Sequence, residues 1–140
     1  MIKMLLSRED YRQVIDHCRK EKPLEACGIL AGSKVDDRWL VERVFLMENA
    51  RPSSEEYFMD YEEQFEVFKE IREEDMELIS IFHSHLHSPA RPSQKDIDMA
   101  NYEDAVYTII SLENEEPDMR VYRIEDDDFT TVEWGFTGES

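Results

Sequence analysis

Three of the four histidines lie in one short segment, His83-Ser84-His85-Leu86-His87. His83 and His85 are two residues apart at the end of an apolar stretch that is typical of a β-strand. In a strand this spacing directs both side chains to the same face, whereas on a helix they would diverge. Imidazole is a common metal ligand. The pair therefore predicts a metal site at the end of this strand.

A carboxylate that could complete such a site follows the proline-containing segment 87–92. Ser93 and Asp96 are three residues apart at the predicted start of a short helix, where they are neighbours and where the helix dipole favours an anion. By itself this spacing is typical of a capping box. After a histidine pair, it favours a metal site with two histidines, one carboxylate and a fourth position for water, the open coordination of catalytic zinc.

Hydrolysis at such an ion also needs a group that moves a proton. Glu25 precedes a short apolar segment, 26–31, that is predicted to be a buried strand. A carboxyl group beside hydrophobic surface has a raised pKa, as a proton shuttle requires. Spacing alone does not distinguish Glu25 from the many other acidic residues.

Together these residues resemble the JAMM (JAB1/MPN/Mov34) metalloprotease family. The family pattern is an upstream Glu, then His-Ser/Thr-His, seven residues, Ser, two residues and Asp. The matching residues here are Glu25, His83, Ser84, His85, Ser93 and Asp96. Segments 25–32, 57–59 and 107–112 extend the resemblance, which is strongest to small stand-alone prokaryotic members. The chain departs from the pattern at Leu86, where the family often has proline.

The resemblance implies a role for each residue. His83, His85 and Asp96 would bind Zn²⁺. Glu25 would take a proton from the zinc-bound water and pass it to the leaving amine, and Ser93 would hydrogen-bond the developing oxyanion. The implied fold is α/β (mixed α+β), with a partly curled mixed β-sheet flanked by helices. This JAB1/MPN-like, cytidine-deaminase-like architecture would occupy residues 1–140 as a single domain.

The implied activity is that of a zinc-dependent metallopeptidase or isopeptidase. It would hydrolyse a peptide or isopeptide bond at the C-terminal tail of a ubiquitin-like or sulfur-carrier protein that ends in Gly-Gly. Two alternatives remain open: a catalytically inactive MPN-type protein-binding module, or a metal-dependent hydrolase of a small amide. Inactive relatives usually lack the metal ligands, and this chain has all of them, which favours the peptidase.

Hydrophobic periodicity predicts the elements that position these residues. The predicted order is α-β-β-α-β-α-β-β-β, which favours a mixed sheet with helices packed on it. The helices are predicted to begin after Ser7, Asp60 and Ser93, the last ending near Asn101. The predicted strands are 26–31, 39–47, 78–85, 105–112, 119–124 and 129–134. In the second helix, the expected core-facing residues are Phe65, Phe68 and Ile71.

Composition limits the classes of partner. The 140 residues carry 34 acidic and 16 basic side chains, for a net charge of −18. This balance argues against nucleic-acid binding and against anionic membrane surfaces. The chain has no apolar run near the ~20 residues of a transmembrane helix. Residues 1–6 do not resemble a signal peptide, and the chain has only two cysteines. We therefore expect a cytoplasmic protein.

Other residues have more ordinary interpretations. His17 is predicted on the polar, solvated side of the first helix, and His87 in a loop. Cys27 is expected to be a small buried residue, although a cysteine nucleophile is the alternative. Tyr57 and Phe58 follow a polar loop and could border the substrate groove, with core packing an equally good interpretation of Phe58.

Overall fold

The computed structural model describes residues 1–51 and 53–138. In chain order its elements are β1 (Lys3–Leu6), α1 (Arg8–Lys20), β2 (Cys27–Val35), β3 (Arg38–Met47), α2 (Tyr61–Glu73), β4 (Glu77–His85), α3 (Gln94–Asp98), β5 (Val106–Ser111), β6 (Asp118–Glu125) and β7 (Asp128–Phe136). The nine predicted elements are present in the predicted order, and α3 is shorter than predicted. The sequence patterns did not predict β1. Within the described ranges, no helix has the length and apolar character needed to cross a membrane.

The sheet is mixed, as predicted, but it closes into a barrel rather than remaining partly curled. Its strands follow the order β1-β3-β2-β4-β5-β6-β7. β1 pairs in parallel with both β3 and β7, so this one short strand joins the two edges. Closure pairs the edges of the sheet over residues 38–40 of β3 and 133–136 of β7, which protects those stretches from pairing with another chain. The missed strand therefore accounts for the difference between the predicted and the observed sheet.

The three predicted helix starts are confirmed by their caps. The Ser7 hydroxyl accepts a hydrogen bond from the backbone N–H of Asp10. The Asp60 carboxylate accepts two from the first turn of α2, and Ser93 begins α3 with a complete capping box. Each cap satisfies backbone donors that the first helical turn leaves without a partner.

Two hydrophobic clusters cover the two faces of the central strands. The first includes Val14 and Ile15 of α1, and the second includes Val67 and Ile71 of α2. All six residues of β5 are buried, and β4 is buried from Ile79 to its end at His85. Burial on both faces makes the end of β4 a rigid place for functional side chains.

The predicted core face of α2 is partly wrong. Ile71 is buried and Phe68 is half-buried, but Phe65 is 66% exposed. The buried stripe is Val67 with Ile71, at i and i+4. Phe65 precedes Val67 by two residues and so lies about 200° around the helix from it, toward solvent.

Two glycines let β2 pack tightly between β3 and β4. A Cβ at Gly28 would overlap the Phe82 ring and the backbone oxygen of Phe45, and one at Gly32 would overlap the backbone of Leu40. These close approaches bring β2 against β4, with Cys27 opposite His83. The segment that carries Glu25 therefore enters the barrel beside the histidine pair.

Candidate metal and active site

The end of β4 presents two buried imidazoles side by side. His83 and His85 are 1% and 4% exposed, and their Nε2 atoms lie 3.1 Å apart. Ser84, between them, points the other way, and its hydroxyl accepts a hydrogen bond from the backbone N–H of Ala26. The strand spacing thus places both rings on one face, while the intervening serine bonds the residue that precedes β2.

The first turn of α3 brings a carboxylate to this pair. Asp96 Oδ1 lies 3.2 Å from His83 Nε2, and Asp96 Oδ2 lies 3.1 Å from His85 Nε2. The Ser93 backbone N–H donates to Asp96 Oδ2 at 2.9 Å, which fixes the carboxylate. In the part of the chain that the structure describes, these three residues form a group whose ligand atoms all lie within 4.8 Å of one another.

The hydrogen bonding of this group suits a cation. His85 Nδ1 lies 2.8 Å from the Pro89 carbonyl oxygen, which can only accept, so Nδ1 carries a proton. When the ring is neutral, as a metal ligand must be, its lone pair is therefore on Nε2. Such a bond is the usual orienting contact of a metal-ligating histidine. The Nε2 lone pair then lies beside the Asp96 carboxylate, at 3.1 Å from Oδ2. Nitrogen and oxygen donors with this geometry fit Zn²⁺.

Electrostatics keeps the Asp96 carboxylate ionised. Burial alone would raise its pKa, but hydrogen bonds to His83 and His85 hold the pKa well below its usual range. Burial also acts to lower the pKa of His85, and its hydrogen bonds to Asp96 and Pro89 reverse this, so that the pKa is raised overall. A fixed anion therefore faces the two imidazoles.

Glu25 lies beside this group as a buried carboxyl. It is 4% exposed, and its Oε1 atom has no hydrogen-bond partner in the part of the chain that the structure describes. Burial raises its pKa to about 8, the nearby charge of His85 lowers it, and that of Asp96 raises it. A buried carboxyl whose pKa lies near neutrality can both accept and release a proton.

Ser93 stands at the exposed start of α3. Its Oγ accepts a hydrogen bond from the Asp96 backbone N–H at 3.1 Å. Because a hydroxyl has one proton and two lone pairs, this contact leaves the hydroxyl proton free to donate elsewhere. Ser93 can thus cap the helix and donate a hydrogen bond at the same time.

Tyr57 makes the closest aromatic contact with the site. Its ring stacks on that of His83, with centroids 4.7 Å apart and planes 23° apart. The segment that carries it is also tied to α3 by the Lys95–Glu56 ion pair, at 2.5 Å. Sequence reasoning gave Tyr57 a place near the substrate and did not predict the contact with His83 or the ion pair.

Asn49 is a buried residue near Glu25 that the sequence did not reveal. It is 2% exposed and hydrogen-bonds the backbone of Glu25. An asparagine after a strand is typical of a turn, and no other signal in the sequence marks it.

Two histidines and a cysteine lie outside the group. The prediction that His17 is solvated is wrong, because the side chain is half-buried. Its Nε2 lies 3.1 Å from the Met47 carbonyl and 3.3 Å from that of Cys27. His87 lies exposed in the loop after β4, as predicted. Cys27 is fully buried, and burial raises the pKa of its thiol to about 12, which argues against a thiolate nucleophile.

Most of the chain matches a known protein family. Residues 7–125 match the family described as prokaryotic homologs of the JAB domain. The chain is 37% identical over 114 residues to the CysO-cysteine peptidase of Mycobacterium tuberculosis, covering 81% of this chain and 77% of that protein. It is 30% identical over 111 residues to the desampylase of Pyrococcus furiosus, covering 79% and 76%.

A solved structure shares the fold. The solution structure of a protein from Desulfitobacterium hafniense superposes with a TM-score of 0.89 at 33% identity, covering 97% of this chain and 94% of that one. The mixed sheet with three helices is therefore shared with a solved relative.

Proposed function

This chain belongs to the family of prokaryotic homologs of the JAB domain, and we propose that it is a zinc-dependent peptidase or isopeptidase. The observation that carries the proposal is the convergence of His83, His85 and Asp96 beside the buried carboxyl of Glu25. Three ligands leave one position open, which suits catalytic rather than structural zinc.

The substrate that we propose is the C-terminal tail of a ubiquitin-like or sulfur-carrier protein that ends in Gly-Gly. The name of the M. tuberculosis relative, CysO-cysteine peptidase, and that of the P. furiosus relative, desampylase, support a protein substrate. The JAMM resemblance supports the Gly-Gly tail. We place the reaction in the cytoplasm, where the buried free thiols of Cys18 and Cys27 would stay reduced.

His83 Nε2, His85 Nε2 and Asp96 would hold the metal. When bound there, zinc would supply Lewis acidity, which polarises the scissile carbonyl and lowers the pKa of a coordinated water. The Pro89 carbonyl keeps His85 in the tautomer that offers Nε2, and the Ser93 backbone N–H holds the Asp96 carboxylate in place.

Glu25 would carry the proton. Its carboxylate accepts a proton from the attacking water and then donates it to the leaving amine nitrogen, so that Glu25 ends the cycle as it began. A nearby cation lowers the pKa of the buried carboxyl, which populates the basic form. The Ser93 hydroxyl, whose proton is not used in the helix cap, would donate to the oxygen that becomes negative.

The proposal is tested with a sulfur carrier expressed with one cysteine added after its Gly-Gly end. The zinc-loaded protein should remove that residue, as seen by intact mass, and a chelator should stop the reaction. Loss of the residue without metal would contradict zinc dependence. A zinc-loaded protein that leaves this carrier and a Gly-Gly isopeptide conjugate intact would contradict the proposed substrate and favour one of the alternatives.

Ser93→Ala should lower kcat by about 10²- to 10³-fold, because one oxyanion donor is lost. It also removes a helix cap, worth about 1 kcal/mol of folding free energy. Ser7→Ala is the matched control, since it removes the α1 cap far along the chain from the site. Both variants should keep the wild-type zinc content. Equal kcat values for the two variants would remove Ser93 from the reaction.

A further inference from the structure

The side chain of Asn49 has all of its hydrogen-bonding capacity in use. Its Nδ2 donates to the carbonyl oxygens of Glu25 and Glu56, each at 3.0 Å. Its Oδ1 accepts from the backbone N–H groups of Arg51 and Phe58, at 3.1 and 2.9 Å. An amide has two donor hydrogens and two acceptor lone pairs, so no part of this buried group is left unsatisfied.

These bonds close the base of the loop between β3 and α2. The Ala50 backbone N–H donates to the Phe58 carbonyl at 2.8 Å, and Asn49 forms an isolated bridge with Met59. The amide therefore spans from one side of the loop base to the other, and its four bonds fix how the described part of the loop leaves the barrel.

The loop delivers Tyr57 to the site. Glu56 and Phe58, both bonded by the Asn49 amide, are the residues on either side of Tyr57, whose ring stacks on His83. Because both neighbours are held, the backbone of Tyr57 has little freedom to move away from His83.

The same amide holds Glu25. The Glu25 carbonyl accepts from Asn49 Nδ2, and the Glu25 N–H donates to the Ser53 carbonyl within the loop at 2.8 Å. Among the described residues Glu25 Oε1 has no hydrogen-bond partner, so no bond of its own fixes this oxygen. The backbone contacts therefore matter more here than for a carboxylate fixed by its own hydrogen bonds.

We propose that Asn49 is a positioning residue, which sets Glu25 and Tyr57 relative to the His83–His85–Asp96 group. The inference rests on the proposed function, because it assigns Glu25 to the chemistry. Misplacement of a reacting group by about 1 Å can cost about 10²-fold in rate. Loss of the amide should therefore lower turnover even in a protein that stays folded and keeps its metal.

The first arm of the test uses the metal-free protein and hydrogen exchange of single amides. In Asn49→Ala, the amide protons of Phe58 and Glu25 should exchange at least about tenfold faster than in the wild type. The Phe58 N–H loses its acceptor, and the Glu25 N–H bonds to a loop that Asn49 no longer holds. Trp134→Phe is the matched control, since it removes a side-chain-to-backbone hydrogen bond between β7 and β6. Unchanged exchange of Glu25 in Asn49→Ala would overturn the inference.

The second arm measures cleavage of the carrier with the added cysteine. Asn49→Ala should lower kcat by about 10²-fold, keep KM within about threefold and keep the zinc content, while Trp134→Phe should match the wild type. Asn49→Asp has nearly the same volume and keeps the acceptor oxygen but loses both N–H donors. Asn49→Asp should keep the Phe58 amide protected from hydrogen exchange and still lower kcat. It also replaces Asn49→Ala as the test variant if that variant does not fold.

The two arms separate the possible failures. Folded Asn49 variants with the kcat of the control would overturn the positioning role while leaving the peptidase intact. A wild-type protein that cleaves no carrier would contradict the proposed function, and hydrogen exchange at Glu25 would then decide alone whether Asn49 holds this residue.

Discussion

Glu25→Gln should lower kcat by about 10²- to 10⁴-fold while leaving the zinc content unchanged. The range is that of a positioned general acid–base group. Glutamine has nearly the same shape as the buried glutamate, so the pocket should remain filled, but an amide does not take up the proton of the attacking water. His83, His85 and Asp96 are untouched, so metal binding should persist.

The measurement is kcat on the carrier with the added cysteine, beside elemental analysis of the same sample. Glu115→Gln is a matched control, because it makes the same change at an exposed position. A Glu25→Gln protein that cleaves at the wild-type rate would show that another group moves the proton. A variant that has lost its zinc would instead show that Glu25 helps to hold the metal.

The same variant has a second readout in the metal-free protein. Burial raises the pKa of Glu25 in the folded state to about 8, so folding favours the protonated form. The stability that the protonated carboxyl contributes is fully present at low pH and is lost as the pH rises through the folded-state pKa. Glu25→Gln, which cannot ionise, should therefore gain unfolding free energy relative to the wild type between about pH 4.5 and 8. A difference that does not change with pH would contradict a buried, titrating carboxyl.

Removing both imidazoles, in His83→Ala/His85→Ala, should abolish zinc binding and turnover together. The wild-type protein should hold about one zinc per chain, and the variant none, because a single carboxylate is a poor zinc site. His87→Ala is the control, since His87 lies in the adjacent loop, is exposed and is outside the ligand group.

Thermal unfolding gives this prediction a readout that is independent of activity. A ligand that binds only the folded state at 100 times its Kd stabilises that state by about 2.7 kcal/mol. Added zinc should therefore raise the Tm of the wild type and of His87→Ala, and leave that of the double variant unchanged. Wild-type protein that stays free of zinc after reconstitution would contradict the metal site and, with it, the peptidase.

The sequence predicted those features that depend on local order along the chain. The period of a β-strand places His83 and His85 on one face, and the capping spacing places Ser93 beside Asp96. The same local patterns predicted the three helix starts and nine of the ten elements. Glu25 was different, because only the family pattern distinguished it from the other acidic residues.

Tertiary structure decided which of these segments meet. Glu25 reaches the histidines because β2 pairs with β4 and sets Cys27 opposite His83, a register between residues far apart in the chain. The stacking of Tyr57 on His83 and the hydrogen bonds of Asn49 depend on the same assembly. Sequence periodicity gives the face on which a side chain lies but not the partner of that face, so these contacts had no local signal.

The incorrect predictions have the same cause. β1 is four residues long, which is too short for a clear period. It is defined by its pairing with β3 and β7, which are distant from it in the chain. Phe65 is exposed and His17 is half-buried because neighbouring elements, and not the apolar or polar character of the residue, decide which stripe of a helix is covered. Local spacing thus indicated which side chains could form a metal site, while strand pairing and barrel closure decided which groups lie together.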